Sequence, residues 1–264
     1  MAFLKESSTP LLQVEGLHMT FGGIRALSDF SFKVDEGEIL SVIGPNGAGK
    51  TTLINCMSGI YRARKGTILF RGREVTGRNP NQIAQLGMAR TFQNIALFRG
   101  MTVLDNMLIG QGYLLHYGLL GAALFLGRAL NEEVRGRDKV EEIIEFLDLQ
   151  HVRKSPVGGL PYGMQKKVEL GRALAMEPRL LLIDEPVSGM NLEETEDMAR
   201  YVLDINEELG ITIILIEHDM GLVMDISHRI TVLNFGLKIA EGAPKEIVKN
   251  PEVIKAYLGE VGDS

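Results

Sequence analysis

The chain has 264 residues, 45% of them hydrophobic and 23% charged, which suits one large domain, or a domain with a sizeable insertion, and excludes a disordered chain. Its 28 Lys and Arg against 34 Asp and Glu give a net charge of −6, interspersed rather than in blocks, so no nucleic-acid partner is expected. The single cysteine, Cys56, excludes an internal disulfide and fits a reducing compartment.

Residues 1–10, MAFLKESSTP, have no basic start followed by a sustained apolar run, so no secretion signal is expected and the chain reads as cytosolic. The alternating patches in LLQVEGLHMTF and FSFKV predict an antiparallel edge. A parallel sheet then begins with the continuous apolar run ILSVI, residues 39–43. Directly after it come Gly44, four residues, then Gly49, Lys50 and Thr51 at the start of a helical pattern. That is a phosphate-binding P-loop in its required strand-to-helix context, because glycines let backbone N–H groups wrap a phosphate. Gly44, Pro45, Asn46, Gly47, Ala48, Gly49, Lys50, Thr51 and Thr52 are therefore expected to cradle a nucleoside triphosphate. Lys50 would reach the β- and γ-phosphates and the Thr51 hydroxyl would ligate Mg²⁺. Cys56 falls in the helix that follows and reads as a small core side chain.

Between about residues 93 and 178 the strand signal stops and helical periodicity takes over, in VLDNMLIG, in DKVEEIIEFLDL and after Gly163. The longest apolar segment, residues 113–130, reaches a spanning length of about 18 only by including His116, Arg128 and three glycines, so it reads as a core helix or a partner-facing hairpin. The stretch LPYGMQKKVELGRAL, residues 160–174, sets a turn in front of a helix start. Unpaired N–H groups and the dipole make such a start either an anion site or an ordinary capped end. Strands are expected again in LLLID (180–184), ITIILIE (211–217) and RITVLNF (229–235). Asp184 and Glu185 close the first of these, expected beside the P-loop strand. There Asp184 would hold Mg²⁺ through its water shell and Glu185 would orient the attacking water, so the reaction class is phosphoanhydride hydrolysis.

The P-loop, TFQN, LPYGMQKKVELGRAL, LLLIDEPVSGMN and IEHD stand in the order and spacing of ATP-binding-cassette ATPases, and the chain resembles that family over nearly its whole length. The resemblance implies an α/β fold: a P-loop NTPase core of parallel sheet and helices, with an N-terminal antiparallel β subdomain and an inserted helical subdomain. One ABC nucleotide-binding domain would span 1–264, with 1–92 and 179–264 as the ATP-binding core and 93–178 as the helical signature subdomain. ATP and Mg²⁺ are the implied cofactors. Gln93 would be the Q-loop glutamine that contacts Mg²⁺ and links the site to the helical subdomain. His218 would be the switch histidine at the γ-phosphate, and Phe21 the aromatic that stacks on adenine or else an edge-strand core residue. Leu160, Pro161, Tyr162, Gly163 and Met164 would form the signature loop, which serves the γ-phosphate held by the opposite subunit. Two chains would thus pack head to tail around two ATP molecules.

RTFQNIALFRGMTVLDNMLIG, the apolar 113–130 insertion, LIEHDMGLVMDISHRITVLNFG and AYLGE resemble the branched-chain amino-acid importer ATPases in particular. Such a chain implies separate transmembrane permease subunits, a periplasmic or extracellular solute-binding protein, and a cytoplasmic place on the inner face of the membrane. Residues 112–130, with Gln93, are assigned to the permease-facing surface. The ATPase of a lipopolysaccharide or other lipid exporter, and a non-transport ABC ATPase acting on DNA, are the alternatives. LPYGM departs from the family's Leu-Ser-Gly-Gly-Gln at Pro161, Tyr162 and Met164, and Asn191 stands where aspartate is common. Pro161 has neither a hydroxyl nor an N–H to offer. The expectation is a non-identical ATPase partner whose signature completes this chain's P-loop site, with a homodimer as the alternative.

Overall fold

The computed structural model describes residues 9–112 and 128–258. In chain order its strands are β1 (Leu12–Phe21), β2 (Ile24–Val34), β3 (Ile39–Ile43), β4 (Lys65–Phe70), β5 (Arg73–Glu74), β6 (Met88–Arg90), β7 (Leu180–Asp184), β8 (Thr212–Ile216), β9 (Arg229–Asn234) and β10 (Leu237–Gly242). The helices are α1 (Lys50–Met57), α2 (Pro80–Gln85), α3 (Val103–Gln111), α4 (Arg128–Phe146), α5 (Tyr162–Leu174), α6 (Leu192–Glu207), α7 (Met220–Ile226), α8 (Pro244–Ile247) and α9 (Pro251–Leu258).

β1, β2, β4 and β5 make an antiparallel sheet in the order β2-β1-β4-β5, and the rest make a second sheet in the order β10-β9-β3-β8-β7-β6. The second sheet is parallel except for β10, which returns antiparallel to β9. Its central strands are buried at every position, which is why their sequences are mostly apolar and do not alternate, Ser41, Asp184 and Thr212 being the polar exceptions. Alternate residues serve two cores. Leu40, Val42, Leu180, Leu182, Ile214 and Ile216 pack with α1 and the antiparallel sheet. Ile39, Leu181, Ile183, Ile213 and Leu215 pack with α3 to α6 on the other face.

One sequence expectation is corrected. β7 does not lie beside β3, because β8 is inserted between them and pairs with both. The strand that leads to His218 therefore runs between the P-loop strand and the Asp184 strand. Register still brings their ends level, with Val42 opposite Ile216 and Ile216 opposite Asp184. The run 229–235 also ends one residue early: Phe235 takes a left-handed φ of 45° in the turn to β10. Residues 113–127, which hold most of the apolar insertion, lie outside the described residues. Among the described residues, no helix is long and apolar enough to cross a membrane.

Candidate functional site

The P-loop rises from the buried end of β3 and turns into α1. Gly44 (φ 155°) and Gly49 (φ 112°) sit so close to neighbouring backbone that a Cβ would stand 2.0 Å from the Leu233 carbonyl oxygen and 2.4 Å from that of Ala26, respectively. Only glycine fits either place. Lys50, at the first turn of α1, is buried and folds back over the loop, donating to the carbonyls of Gly44 and, at 3.0 Å, Pro45. Thr51 beside it is exposed. The loop thus gathers a helix N-terminus, turning backbone and one ammonium, which is an anion cradle.

At the end of β7, Asp184 is 3% exposed, and burial pushes its carboxyl above the usual carboxylate range. The Arg90 guanidinium opposes that shift with a hydrogen bond of 2.9 Å to Asp184 Oδ2. Glu185 follows with a φ of 48°, a left-handed backbone that a non-glycine residue rarely holds. Its N–H donates to the Ile216 carbonyl at 2.8 Å, so the turn is fastened to β8. Gln93 Nε2 donates to Glu185 Oε2 at 2.7 Å, and His218 Nδ1 lies 4.0 Å from Glu185 Oε1. Two residues singled out from separate stretches of sequence, Gln93 and His218, thus converge on the carboxylate of a third, Glu185.

Glu217, fully buried beneath them, was missed by the sequence reading. Its carboxylate accepts N–H bonds from Val187 (3.2 Å), His218 (2.7 Å) and Asp219 (3.2 Å), so it ties the loop after Glu185 to the loop that carries His218. Burial raises its pKa. The signal available was an acidic residue directly after the apolar run IILI of β8.

The signature stretch forms the start of α5. Pro161 occupies the N-cap position, with no side-chain cap, and Gln165 Nε2 donates to the Leu160 carbonyl at 2.8 Å. Gly163 is buried against Glu194 of α6, while Tyr162 is 44% exposed and Met164 partly buried. Asn191 has a structural task, capping α6 by accepting from the Glu194 N–H at 3.0 Å. Further along, the inner face of α5 holds two buried charges that sequence reading passed over. Lys166 Nζ donates to the Gln93 carbonyl at 2.8 Å, and Glu169 Oε1 accepts from the N–H groups of Phe92 and Ala96, each at 3.4 Å. Burial lowers the Lys166 pKa and raises that of Glu169, each partly restored by the other's charge. The loop that carries Gln93 is therefore clipped to the signature helix.

Phe21 ends β1 with 42% exposure, its ring meeting that of Tyr61 edge-on at 5.2 Å. Of its two sequence readings, the buried core residue is excluded, and an exposed ring braced from one side remains.

The sequence profile described as "ABC transporter" matches residues 27–188, and one described as "Branched-chain amino acid ATP-binding cassette transporter" matches residues 238–263. The chain is 43% identical over 253 residues to the high-affinity branched-chain amino acid transport ATP-binding protein LivG of Salmonella typhimurium, covering 96% of this chain and 99% of that one. It is 42% identical over 254 residues to the corresponding protein BraF of Pseudomonas aeruginosa, with 96% and 99% covered. Among solved structures, the ADP conformation of MJ1267, an ATP-binding cassette of an ABC transporter, superposes with a TM-score of 0.83 at 33% identity, covering 96% of this chain and all of that one.

Proposed function

The chain belongs to the ABC transporter family, and from that premise we propose that it is the ATP-hydrolysing subunit driving uptake of branched-chain or other hydrophobic amino acids through separate permease subunits. It is an ATPase whose turnover is coupled to transport. The named relatives are amino-acid transport proteins, which disfavours the lipid-exporter and DNA-acting alternatives. The observation that carries the hydrolytic reading is the convergence of Gln93 and His218 on Glu185, at strand ends level with the P-loop.

In this reading the P-loop backbone and Lys50 hold the β- and γ-phosphates, and Phe21 stacks on the adenine. Glu185 holds the attacking water by one oxygen while Gln93 steadies the other. His218 donates to the γ-phosphate oxygens as the terminal P–O bond breaks. The Thr51 hydroxyl, the Asp184 carboxylate and the Gln93 amide oxygen are hard oxygen donors, a set that suits Mg²⁺. When bound, Mg²⁺ would neutralise charge developing on the phosphate oxygens.

The family works as cassette dimers on membrane permeases. For this chain we assign Leu160–Met164 to the partner's γ-phosphate, residues 112–130 with Gln93 to the permease, and the protein to the inner face of the membrane. Phe98 and Met101, exposed on the loop after Gln93, are apolar side chains of the same kind and are assigned to the permease as well. The division into core (1–92, 179–264) and signature subdomain (93–178) follows from these assignments. Pro161 favours a non-identical ATPase partner over a homodimer.

The test is to purify the native complex, identify its membrane chains, and reconstitute amino-acid uptake with wild type and Glu185→Gln. Permease chains should co-purify, and phosphate release by the variant should fall by about 10²-fold or more with nucleotide still bound. Near-normal turnover removes Glu185 from its role. In the same system, a much greater loss from Lys50→Ala than from the equivalent change in the partner supports the asymmetric pair; equal losses overturn it.

A further inference from the structure

Arg90 ends the edge strand β6 and opens the RTFQN stretch, where sequence reading assigned it no role of its own. Its side chain is 9% exposed, and that of Asp184 is 4% exposed. From this buried place the guanidinium makes a three-way junction. Nη2 donates to Asp184 Oδ2 at 2.9 Å, while Nη1 donates to Asn55 Oδ1 at 2.6 Å and to Ser58 Oγ at 3.0 Å. The Phe92 ring covers it, with Cζ 4.9 Å from the ring centre. Asn55 lies on α1 and Ser58 caps its end, and α1 is the helix whose first residues are Lys50 and Thr51.

We propose that Arg90 is a positioning residue that indexes the Asp184 carboxylate to the P-loop helix, so that the carboxylate faces the divalent cation of the bound nucleotide in a fixed orientation. The inference rests on the reading of Asp184 as the group that holds that cation. A guanidinium suits the task because its planar fork offers several donors in fixed directions, which a lysine ammonium does not. With both Nη atoms engaged, rotating the Asp184 carboxylate means breaking a buried charged hydrogen bond. The Asn55 and Ser58 contacts carry the position of α1, and hence of the phosphates, to the end of β7.

A rival account makes Arg90 a mere counter-charge. The two differ in what a lysine can replace. Arg90 repels the cation but also opposes the burial that raises the Asp184 pKa, so if charge alone mattered, Arg90→Lys would match wild type, whereas orientation by a planar fork is only partly restored by an ammonium. If orientation matters, removing it weakens Mg²⁺ binding and leaves cation-free nucleotide binding nearly intact.

The experiment follows a fluorescent ADP analogue on the purified full chain, first in EDTA and then with rising Mg²⁺. For Arg90→Met, affinity in EDTA should stay within about twofold of wild type, and the Mg²⁺ concentration for half of the cation-dependent change should rise about tenfold, as for one lost hydrogen bond to a charged group. Arg90→Lys should recover part of the shift, and Asn55→Ala, which leaves the guanidinium with one anchor fewer, should shift less but in the same direction. If Arg90→Met does not fold, the Lys and Asn55 variants carry the test. An unchanged or lowered Mg²⁺ requirement, or an Arg90→Lys variant that matches wild type, overturns the proposal. Asp184→Asn separates the two layers. If it keeps its Mg²⁺ dependence, the reading of Asp184 falls and this inference with it; if it loses the dependence while the Arg90 and Asn55 variants retain it, only the inference falls.

Discussion

The strand-end cluster and the signature helix are built by different means. At the strand ends, three parallel strands stop at one level and the backbone itself makes the site, with glycines pressed against carbonyls and Glu185 in a left-handed turn. At the signature end the tip of α5 is open and uncapped, and the firmness lies deeper, where Lys166 and Glu169 grip the Gln93 loop. The first region is brittle at its tip, whereas the second tolerates change at its tip and depends on its base.

Gly49→Ala tests the brittle side most severely. Its Cβ would meet the Ala26 carbonyl oxygen at 2.4 Å on a backbone with φ 112°, so denaturant titration should show a loss above about 4 kcal/mol, with nucleotide binding gone. A milder loss would mean that the loop can shift and is less rigid than drawn.

Lys166→Met probes the base of the signature helix. It removes from the buried Glu169 the stronger of two cationic influences, leaving Arg172, and about 2–3 kcal/mol of stability should be lost at neutral pH. The pH dependence follows from burial, which already raises the Glu169 pKa in the folded protein. The folded state then binds a proton more readily than the unfolded chain, so its stability recovers as pH falls through that raised value. The deficit of the mutant should therefore shrink on acidification; one that grows would show that Glu169 is not the group left stranded.

Gly163→Ala is the small counterpart of Gly49→Ala. Its Cβ would meet the Glu194 side chain, nearest at Oε1 at 2.4 Å, the far end of a flexible side chain whose other oxygen accepts from the Asn191 N–H at 3.1 Å. Stability should stay within about 1 kcal/mol of wild type. With the fold intact, any fall in phosphate release by the assembled transporter would report contact with the partner's nucleotide.

The same contrast explains what could be read from the sequence. ILSVI and LLLID coincide with β3 and β7 because strands buried on both faces run mostly apolar, with Ser41 and Asp184 the buried polar exceptions, and the P-loop spacing is local chemistry. Strand order was not local: β8 enters between β3 and β7 through pairing that no window of sequence contains. Arg90, Glu217, Lys166 and Glu169 escaped for a related reason. Each is a charge whose partners lie at sequence distances from one residue to 94, and a charge in sequence looks solvated until the fold shows it buried. The role proposed for Leu160–Met164 rests on family resemblance, since an open helix start is by itself either an anion site or an ordinary end.

The left-handed turn at Glu185 sets a limit on how stable this protein can become without losing its work. Glycine there would relieve a conformation that costs a non-glycine residue about 1–3 kcal/mol, and the chain would melt later. It would also delete the carboxylate on which Gln93 and His218 converge. With the role proposed for Glu185, a selection for heat resistance alone should therefore find Glu185→Gly among its gains and discard turnover with it, while a selection for growth on the transported solute keeps the less stable protein.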